Sequence, residues 1–428
     1  MIRVIKTNET EKISLLIKQL HCREESVVEN VCEILGIVEK EGLKGVLELT
    51  KRFDGANLTK DSWLVSEAEF QSAYASVDEE FLIALRKAIM NIQDFHLKQV
   101  KKSWWQIDNQ GNYTGQLIRP LERVGCYVPG GTAAYPSSVL MTVIPAKVAG
   151  VKETIVVSPP SKEGIINPYT LVAARECGAD KVYKVGGAQA IGALAYGVEG
   201  LDRVQKIVGP GNIFVTMAKK QVYGQVDIDM LAGPSEILVI ADATAKANYV
   251  AADLLSQAEH DIRAAAMLIT TSLELAEEVK TELQEQLALL KRKNIAALSL
   301  KTNGAIIIVD SLEEAVDIAN KIAPEHLELA VEAPFELLGK VENAGAIFLG
   351  HHSPEPLGDY YAGPNHVLPT GGTAKFYSSL NTDMYIKKSS IICYTKDGLK
   401  KVGKDVIKLA TVEGLEAHAN AIRVRMEE

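Results

Sequence analysis

The chain has 428 residues, 47% of them hydrophobic and 24% charged, which excludes a disordered chain and leaves enough apolar sequence for two sizeable cores. A formal charge of -9, with no basic block and no basic strip carrying aromatics, argues against nucleic acid as a partner. The longest apolar runs, such as Ile306 to Val309, are strand-sized, and no basic-then-apolar leader opens the sequence, so a cytoplasmic protein without a membrane span is expected.

From Thr10 to Arg52 apolar residues recur at helical spacing (Ile13, Leu16, Ile17 and Leu20, then Val27, Val31, Ile34 and Val38) and predict helices. Phe53-Asp54-Gly55 is a turn signal, and Ser66-Glu67-Ala68-Glu69 opens a second helical stretch running toward Val100. Trp104-Trp105 follows at a helix end before a hairpin, where paired aromatics serve as core or interface anchors more often than as a binding platform.

From Val124 onward short apolar strands alternate with helices, the pattern of parallel βαβ units. One group of strands is expected at Arg123–Val128, Glu153–Ser158, Lys181–Val185 and Val204–Val208. A second is expected at Ile237–Ala241, Ala265–Thr270, Ala305–Asp310, Leu327–Val331 and Gly345–Leu349. The expected fold class is therefore α/β with two parallel-sheet domains. The division expected is 1–22 as a helical extension, 23–126 with 236–380 as one discontinuous domain, 127–235 as the other, and 381–428 as a C-terminal extension. This attaches the N-terminal helices to the second sheet.

No G-x-G-x-x-G follows any strand. Turns rich in small residues occur instead at Tyr127–Thr132, Gly186–Gln189, Gly209–Asn212 and Gly233–Glu236. Three of them end strands of one sheet, where the following helix N-termini can receive a dinucleotide pyrophosphate; taken singly, each is equally a tight strand-to-helix turn.

Ala323-Pro324-Glu325-His326-Leu327 sets a carboxylate beside an imidazole just after a proline. Histidine titrates near neutrality and shuttles protons, while the glutamate can orient the ring or act separately as a base on water. The pair is also compatible with ordinary polar residues at a strand mouth. Gln257 and His260 stand at i and i+3 near the end of a predicted helix, Asp359 lies in the glycine- and proline-rich run 350–372, and His418 lies near the C-terminus. Imidazole and carboxylate suit zinc, but spacing alone does not select these four. The five cysteines (Cys22, Cys32, Cys126, Cys177, Cys393) form no C-x-x-C pair, and buried free thiols are expected.

Eight blocks bring these pieces together: Gly125–Gly131, Val185–Ile191, Gly209–Asn212, Ala232–Glu236, Ser256–His260, Ala323–Leu327, Gly363–Gly372 and Glu413–Leu415. In content and order they resemble the histidinol dehydrogenases. The resemblance implies two incomplete Rossmann-like domains with small helical terminal extensions in an intertwined homodimer. It also implies a zinc-dependent, NAD-linked oxidation of L-histidinol through L-histidinal to L-histidine. Carried over motif by motif, the catalytic pair is Glu325 and His326, the metal ligands are Gln257, His260, Asp359 and His418, and the NAD contacts are Tyr127, Gln189 and Asn212. Substrate contacts are Ser235, His326, His366 and Glu413 besides the metal ligands, with the C-terminal extension reaching the partner subunit's site.

Overall fold

The computed structural model describes residues 2–20, 27–130 and 134–427. Cys22 and the Gly131-Thr132 end of the first glycine turn lie outside them. The chain forms two compact units, one made of Met1–Gln99 with Leu121–Tyr385, the other of Val100–Pro120 with Ile386–Glu428.

The larger unit opens with β1 (Arg3–Lys6) and the helices α1 (Thr10–Leu20), α2 (Val28–Glu41), α3 (Leu43–Asp54), α4 (Glu67–Ser76) and α5 (Glu79–Leu97). A βα alternation follows: β4 (Arg123–Tyr127), α6 (Pro136–Ala149), β5 (Glu153–Ser158), α7 (Pro168–Glu176), β6 (Lys181–Lys184), α8 (Gly187–Tyr196), β7 (Lys206–Val208), α9 (Ile213–Val222) and β8 (Asp227–Ile228). These strands form a parallel sheet in the order β6-β5-β4-β7-β8. The alternation continues through β9 (Glu236–Ala241), α10 (Ala247–Ala258), β10 (Ala265–Thr270), α11 (Leu273–Leu289), α12 (Lys293–Thr302), β11 (Ala305–Ile308) and α13 (Leu312–Ile322). It ends with β12 (His326–Ala330), α14 (Pro334–Leu338), β13 (Ala346–Leu349) and the short α15 (Glu355–Tyr360). This second parallel sheet runs β1-β11-β10-β9-β12-β13. Strands β9, β10 and β12 are buried along their whole length, which explains runs such as EILVIA and AAMLIT that are continuous rather than alternating.

In the smaller unit β2 (Trp104–Ile107), β3 (Tyr113–Pro120) and β14 (Ile386–Cys393) make an antiparallel sheet in the order β14-β3-β2, and α16 (Lys396–Val412) and α17 (Glu416–Met426) follow. Gly414, at φ 73°, separates α16 from α17. Trp104 and Trp105 lie on the edge strand β2 rather than at a helix end, and are 52% and 61% exposed, so neither is a core residue.

Several other expectations need correction. The N-terminal extension is not wholly helical: β1 pairs in parallel with β11 and lengthens the six-stranded sheet. Helices α2 to α5 share their cores with the five-stranded sheet, not the six-stranded one. Val31, Leu35 and Val38 of α2 pack with Ile191 and Leu194 of α8, while Leu85, Ala88 and Ile92 of α5 pack with Leu140 and Met141 of α6. The physical reason lies in the link between α3 and α4. Trp63 and Val65 exchange backbone hydrogen bonds with the edge strand β6 (Lys184 N–H to Trp63 at 2.8 Å, Val65 N–H to Val182 at 2.9 Å), which covers an otherwise open edge. Glu69 then closes a capping box with Ser66 at the start of α4 and takes the ammonium of the buried Lys184 at 2.6 Å, fixing the helices to that sheet. Of the described cysteines, Cys126 and Cys177 are buried free thiols as expected, while Cys32 and Cys393 are exposed.

One buried ion pair shapes the turn after β7. Lys219 of α9 meets Asp229 in the interior, where Asp229 also accepts the Gly209 N–H (2.7 Å) and Lys219 donates to the Gly209 carbonyl (3.1 Å). Removing one member strands the other charge, so Lys219→Met should cost about 3–5 kcal/mol, read from urea unfolding. Adding Asp229→Asn removes the stranded charge while keeping an acceptor for Gly209, and should recover part of that loss. A loss no larger than the ~0–1 kcal/mol of an exposed pair would show that the bridge does not hold the turn.

Candidate functional site

Helix α13 ends at Ala323, which sits in the left-handed region at φ 53° and is the one non-glycine residue with positive φ among those described. Such a conformation costs an alanine roughly 1–2 kcal/mol, and it turns the chain sharply so that Pro324 leads into β12. Glu325 and His326 therefore enter between β9 and β13, both buried. Gly345 lies so close that a Cβ there would approach the Glu325 carbonyl to 2.5 Å, which reserves that position for glycine.

The His326 ring is not oriented by Glu325. Its Nδ1 lies 2.9 Å from the backbone carbonyl of Glu236, against 3.6 Å from the Glu325 carboxylate. Nδ1–H donates to the carbonyl, so the basic nitrogen is Nε2, which is buried without a hydrogen-bond partner and stands 3.9 Å from both Glu355 and Asp359. Burial, helped by the nearby His366 and His260, pushes the ring down to about 4, leaving a neutral base at neutral pH. Glu325 Oε2 accepts the Glu236 N–H at 2.9 Å. Burial first, then the Glu236, Asp359 and Glu355 carboxyls, lift Glu325 well above the carboxylate range. Glu236 is itself raised to about 8 by burial and has one oxygen without a partner. Two buried carboxyls this close cannot both ionise readily.

Further carboxyls converge from α10, β12 and α15. Glu355 and Asp359 stand one turn apart on α15, and with His326 they place ligand-type atoms within 4.8 Å of one another. Glu328, two residues beyond His326, accepts the Glu355 N–H at 2.8 Å and is hydrogen bonded to Asp253 of α10. Ser256 of α10 donates to Glu355 at 3.3 Å. Burial raises all four acids, Asp253, Glu328, Glu355 and Asp359. A cluster of buried acids with raised proton affinity suits a cation. Gln257 fits the same need, since its Oε1 is buried and has no partner. His260 is close enough to act electrostatically on Glu355 and His326, and the His366 ring donates through Nδ1 to the Asp359 carbonyl at 3.0 Å.

Of the four residues assigned to a metal by resemblance, Asp359 belongs to the triad with His326 and Glu355, His260 lies near His326 and Glu355 just past the end of α10, and Gln257 sits in the last turn of that helix. His418 and Glu413 belong to the smaller unit, at α17 and the C-cap of α16, and both are exposed. Ser235 and His260 line a cavity of about 390 Å³ together with Gly211, Asn212, Glu236 and Thr370. On the five-stranded sheet the Tyr127 hydroxyl accepts the Gly187 N–H at 3.1 Å at the start of α8, and Gln189 is buried in the next turn. The Asn212 side-chain oxygen caps α9 through Phe214 and Val215.

Sequence reading missed Glu236, Glu328 and Glu355. Glu355 and Asp359 at i and i+4 after a proline carried a usable signal, and Glu328 repeats the facing of His326 at i+2 on a strand. Glu236 closes a quoted turn, but nothing in its neighbours predicts that its backbone serves two catalytic candidates.

The Glu328 carboxyl holds the start of α15, and hence the helix carrying Asp359, against β12. Glu328→Ala should cost about 2–3 kcal/mol, because the Glu355 N–H is left buried without an acceptor. Glu328→Gln keeps an acceptor and should stay within about 1 kcal/mol of the parent. Equal losses in the two variants, measured by denaturant unfolding, would remove the capping role.

The histidinol dehydrogenase family model matches residues 18–426. A histidinol dehydrogenase of Heliobacterium mobile is 59% identical over 397 residues, covering 93% of each chain. One from Bacillus cereus is 54% identical over 417 residues, covering 97% of this chain and 96% of its own. The crystal structure of histidinol dehydrogenase from Elizabethkingia anophelis superposes with a TM-score of 0.95 at 39% identity, over 100% of this chain and 98% of that one. With the family's motifs in order and the buried Glu-His pair between them, the chain belongs to the histidinol dehydrogenase family.

Proposed function

We propose that the protein oxidises L-histidinol through L-histidinal to L-histidine, the last steps of histidine biosynthesis, with NAD as hydride acceptor and one zinc ion per subunit. The observation that carries this reading is the neutral His326, held by the Glu236 carbonyl, with a bare Nε2 facing Asp359 and Glu355. Gln257, His260, Asp359 and His418 would hold the zinc. The orphaned Gln257 oxygen and the raised acids fit a cation; imidazole and carboxylate are donors that zinc takes, and the Gln257 amide oxygen would be an unusual fourth. Tyr127, Gln189 and Asn212 would contact NAD; Gly187, at φ 64°, lets the backbone approach closely at the N-terminus of α8. Bound zinc would supply charge to anchor the substrate's amine and imidazole, and bound NAD would supply the hydride acceptor in both half-reactions.

The chain's own residues then divide the proton work. His326 takes the hydroxyl proton through Nε2 in the first oxidation, and its low proton affinity ensures that the ring begins neutral. Glu325, whose proton affinity burial raises above that of a surface carboxylate, is the stronger base when ionised and activates water for the aldehyde stage. His326 deprotonates the hydrated aldehyde in the second oxidation. Ser235, His366 and Glu413 complete the substrate contacts. The reading also takes the two parallel sheets as incomplete Rossmann-like domains in a homodimer, with the segment from residue 381 carrying His418 and Glu413 into the partner's site.

Two outcomes test it. Histidinol should drive NADH formation in the cytosolic fraction and with purified protein, and a zinc chelator should abolish it until zinc is restored; histidinol-dependent activity that is indifferent to the chelator would remove zinc from the reading. Glu325→Gln should slow oxidation of supplied histidinal far more than that of histidinol, by roughly 10²–10⁴-fold for a lost general base, while His326→Asn slows both. Equal losses in both halves for Glu325→Gln would end the division of labour.

A further inference from the structure

Pro145 sits inside α6, and the N–H it lacks is the one that the Met141 carbonyl, one turn earlier, would accept. Met141 is fully buried, so its carbonyl needs another donor. Asn365 supplies it: its Nδ2 donates to the Met141 carbonyl at 2.7 Å, while its Oδ1 accepts the Val367 N–H at 2.9 Å. The fully buried His96, at the end of α5, stands behind this amide. Its Nδ1–H donates to the Ile92 carbonyl at 2.7 Å, so Nε2 is an acceptor, 3.4 Å from Asn365 Nδ2. With the amide swapped, oxygen would face the Met141 carbonyl and nitrogen the Val367 N–H, so one orientation is allowed.

These contacts join the two layers of the larger unit. Helices α5 and α6 pack on the five-stranded sheet, whereas the segment holding Asn365 follows β13, the edge strand of the six-stranded one. The fastening begins just before it: Asn91 of α5 donates to the Tyr361 carbonyl at 2.9 Å, and a Cβ on Gly363 would meet the Asn91 carbonyl at 2.8 Å. His366 comes next in sequence. Its Nδ1–H donates to the Asp359 carbonyl at 3.0 Å, which leaves Nε2 to accept from a bound molecule, and the direction of the ring follows from where residue 365 is held. We propose that Asn365, backed by His96, is a positioning residue that holds His366 from the helices of the five-stranded sheet so that its ring meets the substrate. The proposal rests on the reading above in which His366 contacts histidinol. Misplacing a binding group by about 1 Å can cost about 10²-fold in rate, so such a support is worth a buried amide.

The full-length protein is assayed with histidinol and NAD as wild type, Asn365→Asp, His96→Gln, His366→Ala and the double variants that combine His366→Ala with each of the other two. Asn365→Asp keeps an acceptor for Val367 but sets oxygen against the Met141 carbonyl, and should raise the KM for histidinol about tenfold or more while the KM for NAD stays within about twofold. His96→Gln should raise the KM for histidinol about threefold. In the His366→Ala background either change should add less than about twofold, because its effect passes through the ring already removed. Additive losses in the double variants overturn the proposal, since a merely structural residue adds its full effect in either background. A KM for histidinol unchanged in both Asn365→Asp and His96→Gln overturns it too, and if Asn365→Asp does not fold, His96→Gln in the two backgrounds decides alone. Should His366→Ala itself leave the KM for histidinol unchanged, the substrate reading of His366 falls and the proposal with it, a result seen with Asn365 and His96 intact.

Discussion

The site depends on the backbone of one residue, Glu236, through the two peptide groups that flank it. Its carbonyl fixes the His326 ring through Nδ1, and its N–H holds the Glu325 carboxyl through Oε2. Both contacts exist because β9 and β12 are adjacent and parallel, with His326 in register with Ile237. A peptide in a central strand cannot titrate or rotate, so the tautomer of the imidazole is set by the sheet rather than by a side chain. This leaves Glu325 free to act independently of its sequence neighbour. A one-residue slip of β12 would turn His326 to the opposite face and undo both contacts at once.

Around this residue the interior holds more acid than stability alone would favour. Glu236, Glu325, Glu328 and Glu355 are all nine-tenths buried or more, and Asp253 and Asp359 are drawn in with them. Backbone N–H groups from Glu236, Glu355 and Gly371 satisfy part of the set, and shared protons satisfy more. What remains unsatisfied lies at the Glu236 and Gln257 oxygens and at His326 Nε2, the last of them 3.9 Å from Asp359. The residual polar demand therefore falls where a cation and a polar substrate would enter, and the burial that raises the acids also keeps the imidazole neutral.

Much of this was legible in the sequence, because the strands are short, apolar and separated by clear turns. Glu153–Ser158 and Ala265–Thr270 appear with their expected bounds, and the other expected strands lie within two residues of theirs. The Glu-His pair and its place at the start of a strand were also readable. Attachment of the N-terminal helices was not, since it depends on Trp63 and Val65 pairing with an edge strand more than a hundred residues away, and no local pattern records that. Strand β1 escaped for the same reason: four residues, only Ile5 clearly in the core, carry too little periodicity to be distinguished from a loop. The carboxyl cluster was invisible because its members come from four separate stretches of chain, at Glu236, at Asp253, at Glu325 with Glu328, and at Glu355 with Asp359, which only the fold brings together.

The two sheets present opposite edges to the cavity. In a parallel βα unit the helix returns the chain to the start of the next strand, so the C-terminal end of α10 delivers Gln257 and His260 to the N-terminal edge of the six-stranded sheet. Glu236 and His326 begin their strands at that edge. The turn at Gly211 and Asn212 instead leaves the C-terminal end of β7 in the other sheet, and it lines the same cavity. Asn212 of the five-stranded sheet and Glu236 and His260 of the six-stranded sheet thus face one cavity, and neither sheet lines it alone. On the reading proposed above, a coenzyme held from the first sheet would reach the second at this place, and the turn at Gly211 and Asn212, weak as a separate motif, takes its weight from ending a strand that points at the other sheet.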